Sequence, residues 1–253
     1  MDEVLAALTD QHAVLAAIVD RCEPDDWERP TRCEGWAVID VLLHLAQTDE
    51  LAAASARDEL DRHPHGFLGA PSERTRTVDE AAAASVAVER AAGGDAVRQR
   101  WHEASRDMRS TFAAGDPHRR VVWVSGQLSL HTLGATRLSE CWIHTGDIAD
   151  ALDISLEPTD RLRHIARLAW RMLPYAFERA GATLHGPVAL ELSGPHGDRW
   201  SFDPEGDPVT TITGSAVDFC EVAARRAEPD ATDLVGSGPD AVEVLRLVRT
   251  YAL

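Results

Sequence analysis

Apolar residues recur at helical spacing over most of the chain. Val4, Leu5, Leu8, Val14, Leu15 and Ile18 predict an amphipathic helix over residues 2–21, closed by Pro24. A loop rich in proline and charge follows, and the pattern resumes at Trp36 through Val38, Val41, Leu42, Leu45 and Leu51, a second helix that carries His44. Thr77-Val78-Asp79-Glu80 has the Thr-x-x-Glu form whose side chains satisfy free amides at a helix start, so a third helix is expected up to Ala92. Gly93-Gly94 breaks it, a fourth spans residues 95–114, and Gly115-Asp116-Pro117 ends that one. Val121 to Val124 reads as a strand or a buried connector. Helical spacing returns over residues 130–152 and again from Pro158 to a stop at Gly181.

Beyond Gly181 the texture changes. Residues 187–193, 199–202 and 208–213 are short, partly alternating runs set around turn residues, which predicts a small sheet, and helices are expected over 216–226 and 239–249. The expected organisation is therefore a helical domain over residues 1–181 and an α+β domain over 182–253. There is no internal repeat.

Within the helical part, Glu140 and His144 lie four residues apart, which on a helix stacks their side chains on one face roughly 5–6 Å apart. Their stripe also holds Leu133, Ile148 and Ala151, so two ionisable groups occupy a row otherwise suited to a core. Burying them unpaired would cost several kcal/mol. His44 repeats the oddity among Val41, Leu45, Thr48 and Leu51. A metal shared by His44, Glu140 and His144 accounts for all three, and two imidazoles with one carboxylate suit zinc with a fourth position open. Asp40 and Asp147, each one turn from a histidine, are placed to take the distal imidazole proton. On spacing alone the plainer alternative stays open: a surface helix pair and a satisfied core histidine. Trp27, Trp36, Trp101 and Trp142, like His12, read first as core positions. His63 and His65, flanking a proline, are a loop pair able to bind adventitious metal.

Composition narrows the function classes. The 253 residues carry 42 acidic against 25 basic side chains, a formal net charge of -17 that repels nucleic-acid backbones and anionic membranes. Every basic residue is arginine, which reads as codon bias of a GC-rich, actinobacterial genome. Four cysteines without a CxxC pair point to a reduced, cytoplasmic setting, and neither a signal peptide nor a membrane span of ~20 apolar residues is expected.

Two segments carry a resemblance. WERPTRCEGWAVIDVLLHLAQTDE, from Trp27 to Glu50, and RLSECWIHTGDIADAL, from Arg137 to Leu152, resemble the two metal-helix motifs of the mycothiol-dependent maleylpyruvate isomerase family, relatives of the DinB-like bundles. That resemblance implies a mainly α fold: a DinB-like up-down four-helix bundle with a small C-terminal α+β domain of sterol-carrier-like type. It implies a divalent metal, usually zinc, on His44, Glu140 and His144. It further implies a late arginine, here Arg225 or Arg226, for an anionic substrate or thiol cofactor; Trp36 is a further candidate for lining a substrate or thiol pocket.

The function expected from it is a metal-dependent enzyme that uses a low-molecular-weight thiol, mycothiol, on an electrophilic small molecule, as an isomerase or an S-transferase. A thiol-independent metal hydrolase or cyclase is an alternative, although Leu45 after His44 leaves no HExxH base and the candidates are Asp49 and Glu50. A non-catalytic metal-binding module is another. The protein is expected to be a monomer or a homodimer.

Overall fold

A computed structural model of the chain describes residues 1–62, 77–124 and 126–251, and it divides into two compact units, residues 1–156 and 157–251. The first unit contains α1 (Asp2–Val19), α2 (Val38–Ala56), α3 (Val78–Glu89), α4 (Gly94–Ala114), the strands β1 (Arg120–Trp123) and β2 (Gly126–Ser129), and α5 (Leu130–Ala151). α1 packs on α4 and α5, and α2 packs on the same two, so α1, α4, α2 and α5 close a four-helix bundle with α3 added along α2. This arrangement makes α2 and α5 neighbours. The shared core includes Leu15, Val41, Leu42, Leu45, Trp101, Cys141 and Ile148.

Helix starts follow the expected chemistry. The Thr77 hydroxyl accepts from the Glu80 amide at 3.2 Å while the Glu80 carboxylate accepts from the Thr77 amide at 2.8 Å, a reciprocal cap on α3. Ser129 caps α5 by accepting from the Thr132 amide at 3.1 Å. Residues 121–123 lie in strand β1 and Val124 in the turn after it: β1 and β2 pair antiparallel, with Val121 opposite Leu128.

The second unit holds α6 (Leu162–Arg171), α7 (Leu173–Arg179), β3 (Val188–Ser193), β4 (Arg199–Phe202), β5 (Thr210–Ser215), α8 (Ala216–Ala223), β6 (Val235–Ser237) and α9 (Ala241–Leu247). The strands run in the order β4-β3-β5-β6, with β3 and β5 parallel and both outer pairs antiparallel. Sequence spacing assigned residues 158–181 to the bundle as one helix. In the structure α6 and α7 belong to the second unit instead, and the division falls between residues 156 and 157. α6 packs on α8 and β4, α7 packs on α9, and the Trp170 indole donates to the Val188 carbonyl at 2.7 Å. The helix also breaks at Met172, beside Pro174, whose ring lacks an amide donor and fits only a helix start.

Among the described residues no helix is long and apolar enough to cross a membrane. His63 and His65 lie outside the described residues.

One close approach in the bundle is testable. A Cβ on Gly94, at the start of α4, would lie 2.4 Å from Trp27 ring atoms. Gly94→Ala is expected to destabilise the fold by about 1–3 kcal/mol through overpacking, read as a lower urea midpoint by circular dichroism; an unchanged midpoint would contradict this packing.

Candidate metal centre

The first turn of α2 is fixed by Asp40. Its carboxylate accepts from the Ala37 amide at 2.9 Å and from Nε and Nη2 of Arg90, each at 2.7 Å. His44 follows one turn later on the same face. On α5, Glu140 and His144 are likewise one turn apart, and the packing of α2 on α5 brings the three together. His44 Nε2 lies 2.9 Å from Glu140 Oε1, the two imidazole centroids are 5.2 Å apart, and one donor atom from each residue falls within 4.8 Å of the others.

The two aspartates expected to orient the histidines differ. Asp147 is buried and its Oδ2 lies 2.9 Å from His144 Nδ1, which directs the other ring nitrogen, Nε2, away from the carboxylate. Asp40 does not serve His44: its oxygens are committed to Arg90 and the Ala37 amide, and His44 Nδ1 has no hydrogen-bond partner among the described residues. A residue near a helix start is drawn first to the free amides there, and that demand outweighs the ring one turn on.

Arg137, which sequence reasoning passed over, completes the centre. It is fully buried. Its Nη1 donates to Glu140 Oε2, its Nε and Nη2 donate to Asp49 Oδ1 at 3.1 and 2.9 Å, and Nη2 also reaches Thr48 Oγ1 at 2.8 Å. The two oxygens of Glu140 are thereby divided, Oε2 to the guanidinium and Oε1 toward His44. Burial works to raise the Glu140 pKa, but Arg137 and the two imidazoles outweigh it and hold the carboxyl well below the ordinary range. Burial lowers the His44 pKa, with Glu140 opposing in part. Asp49, also buried, is pushed up to about 6 by desolvation against the pull of Arg137. The signal for Arg137 was its position between Leu133 and Glu140 on the stripe already noted: an arginine in an apolar row.

Other candidates are placed as follows. The Trp36 ring lies against His44 with centroids 5.1 Å apart, and Trp36 also lines a cavity of about 880 Å³ with Trp27, Asp40 and Arg90. Cys33, which spacing did not connect to the site, donates to Asp147 Oδ2 at 3.3 Å, with its sulfur 4.0 Å from His144 Nδ1. Glu50 turns to Arg100, one oxygen at 2.7 Å and the other at 2.8 Å, and Asp49 is tied to Arg137. Arg225 and Arg226 lie in the second unit just past α8, which ends at Ala223, three residues earlier than spacing predicts. Arg225 adopts a left-handed backbone, φ 59°, and donates to the Arg246 carbonyl at 2.7 Å.

Comparison with known proteins follows the same lines. The profile of the mycothiol maleylpyruvate isomerase N-terminal domain matches residues 8–149, a span that contains α2 and all but the last two residues of α5. The chain belongs to that family. Two curated relatives, both described as uncharacterized proteins of Mycobacterium tuberculosis, from strains CDC 1551 / Oshkosh and ATCC 25618 / H37Rv, are 32% identical over 243 residues, which cover 94% of this chain and 91% of theirs. Among solved structures, the mycothiol-dependent maleylpyruvate isomerase superposes with a TM-score of 0.64 at 18% identity, covering 95% of both chains. A histidine-to-alanine mutant of that enzyme superposes at 0.63 and 17%, with the same coverage. The fold is therefore that of the family's solved isomerase.

The buried charge beneath the site has a pH signature. Burial holds the His12 pKa well below 6.5, helped by Arg109 and Arg137, and its Nε2 lies 3.9 Å from Asp49 Oδ2. The folded state keeps this ring neutral while the unfolded chain protonates it below its ordinary pKa of about 6.5. Stability should thus fall as pH drops below that value, by about 1.4 kcal/mol per pH unit for this one group. Denaturant melts across pH 5 to 7 are expected to show a shallower acid slope in His12→Asn than in wild type; identical slopes would contradict the assignment.

Proposed function

We propose that the bundle holds a divalent metal, zinc suiting the donor set best, on His44, Glu140 and His144, and that the protein is a metal-dependent enzyme acting on an electrophilic small molecule with a low-molecular-weight thiol, mycothiol, as isomerase or S-transferase. The observation that carries this reading is the convergence of three donors, two of which have their outer atoms already committed. Glu140 Oε2 is taken by Arg137 and His144 Nδ1 by Asp147, which leaves Oε1 and the remaining imidazole nitrogens to share one cation. Two imidazoles and one carboxylate leave a fourth tetrahedral position. Family membership supports the thiol.

The charges agree. One buried guanidinium against two carboxylates, the half-buried Glu140 and the buried Asp49, leaves one negative charge in excess among these three directly joined groups. A divalent cation offsets that excess and presents a local positive centre to an anionic thiolate. When bound, the metal supplies a Lewis-acid position that lowers the thiol pKa toward neutrality. Asp147 holds the His144 ring in one tautomer, Glu140 contributes its single oxygen and negative charge, and Trp36 shields the His44 side from water.

In the chemistry this arrangement serves, the thiolate sulfur adds to an activated double bond and the electron pair moves onto the activating group. Rotation about the resulting single bond and expulsion of the thiolate give isomerisation. Protonation of the adduct gives S-transfer instead. The hydrolase or cyclase reading loses its bases, because Glu50 and Asp49 are both bound to arginines. The reaction so described belongs in a reducing cytoplasm, with a thiol and a small-molecule substrate as partners, no nucleic acid and no membrane.

Metal analysis of untagged protein is expected to find stoichiometric zinc or another divalent ion in wild type and at least tenfold less affinity in His44→Ala and Glu140→Ala. Incubation with mycothiol and maleylpyruvate-like electrophiles should then yield thiol-dependent turnover or an adduct. Thiol-independent hydrolysis or ring closure would transfer the site to the alternative enzyme class, and full metal without turnover would make it a binding module.

A further inference from the structure

A buried arginine needs a carboxylate, but it does not need two from different helices. Arg137 reaches from α5 to both. On its own helix it takes Oε2 of Glu140, and across the interface it takes Asp49 Oδ1 and Thr48 Oγ1 of α2. Thr48 stands one turn after His44, and its hydroxyl also donates to the His44 carbonyl at 2.8 Å. The guanidinium therefore ties the carboxylate on α5 to the turn of α2 that carries the first histidine. A carboxylate with one oxygen so occupied can offer only the other to a cation, and the fixed fork of arginine sets the direction in which it is offered.

Resting on the metal reading above, we infer that Arg137 is a positioning residue. It holds Glu140 as a one-oxygen anionic ligand and, through Asp49 and Thr48, sets the spacing of that ligand to His44. It touches neither metal nor substrate. Without it Glu140 is free to turn and present both oxygens, which raises the coordination number and closes the position a thiol would use. Metal affinity falls with the loss of preorganisation, as it does when partners of metal ligands are removed.

Cobalt(II) is the probe, because it occupies zinc sites and its visible bands are intense in four-coordinate, weak in five- and six-coordinate sites. Two variants are compared with wild type. Arg137→Met with Asp49→Asn removes the cross-helix pair together in side chains of similar size, so that no charge is left on α2 opposite a missing guanidinium, while Glu140 keeps its charge for the cation. Arg137→Lys keeps the buried charge but replaces the fork with one point donor, and it gives the reading independently of how well the double variant folds.

Circular dichroism melts report the fold, and cobalt titration reports affinity and band intensity. The expected result is intense bands in wild type, and in folded variants about 10- to 100-fold weaker binding with weakened, shifted bands. Folded variants that bind cobalt with wild-type affinity and wild-type bands would overturn the role of Arg137 and leave the metal reading standing. Wild-type protein that takes up no cobalt would overturn both.

Discussion

The packing of α2 against α5 is the contact on which the rest depends, because the chemistry of the bundle is divided between those two helices. Neither holds a site by itself: α2 brings one imidazole, α5 a carboxylate and a second imidazole. Apolar neighbours such as Val41, Leu45, Cys141 and Ile148 bring the helices together, and polar groups then fix how they meet. Arg137 joins Glu140 to Asp49 across the interface, and the 2.9 Å approach of His44 to Glu140 lies next to it. Hydrophobic burial is non-directional and supplies the association; the hydrogen-bonded charges supply the register.

That division explains why so much charge is tolerated inside the bundle. A buried carboxylate, guanidinium or imidazole is costly alone, and here each is paired: Glu140 with Arg137, Arg137 with Asp49, His144 with Asp147, Asp40 with Arg90. The same partners that make burial possible also decide which atoms remain to face inward. In the proposed reaction the chain's own residues set charge, tautomer and access. The metal would supply acidity and the thiol the nucleophile.

Much of this was legible in the sequence, and the misses share a cause. His44, Glu140 and His144 stood out because ionisable groups interrupted apolar stripes of period near 3.6, a signal that survives any uncertainty about helix ends. Asp147 was found by the same one-turn rule. Asp40 fits that rule equally and is nonetheless used elsewhere, since spacing on one helix says nothing about Arg90, which comes from just past the end of another. Arg137 was passed over because an arginine is expected to reach solvent, and only the packing reveals that it cannot. Residues 162–179 were placed with the bundle because an amphipathic helix shows that it has an apolar face without showing what covers it; α8, α9 and strand β4 of the second unit do. β6 is three exposed residues around Gly236, too short for a period to register. Local periodicity was readable, and partner choice between elements was not.

X-ray absorption at the zinc edge of the metal-loaded, untagged protein tests the central claim most directly. The expected spectrum has a light-atom shell of nitrogen and oxygen near ~2.0 Å, with the outer-shell scattering of two imidazoles. It should acquire a sulfur scatterer at about 2.3 Å when the low-molecular-weight thiol is added. A spectrum lacking imidazole scattering, or one that the thiol leaves unchanged, would contradict a two-histidine, one-carboxylate centre with a position open to sulfur.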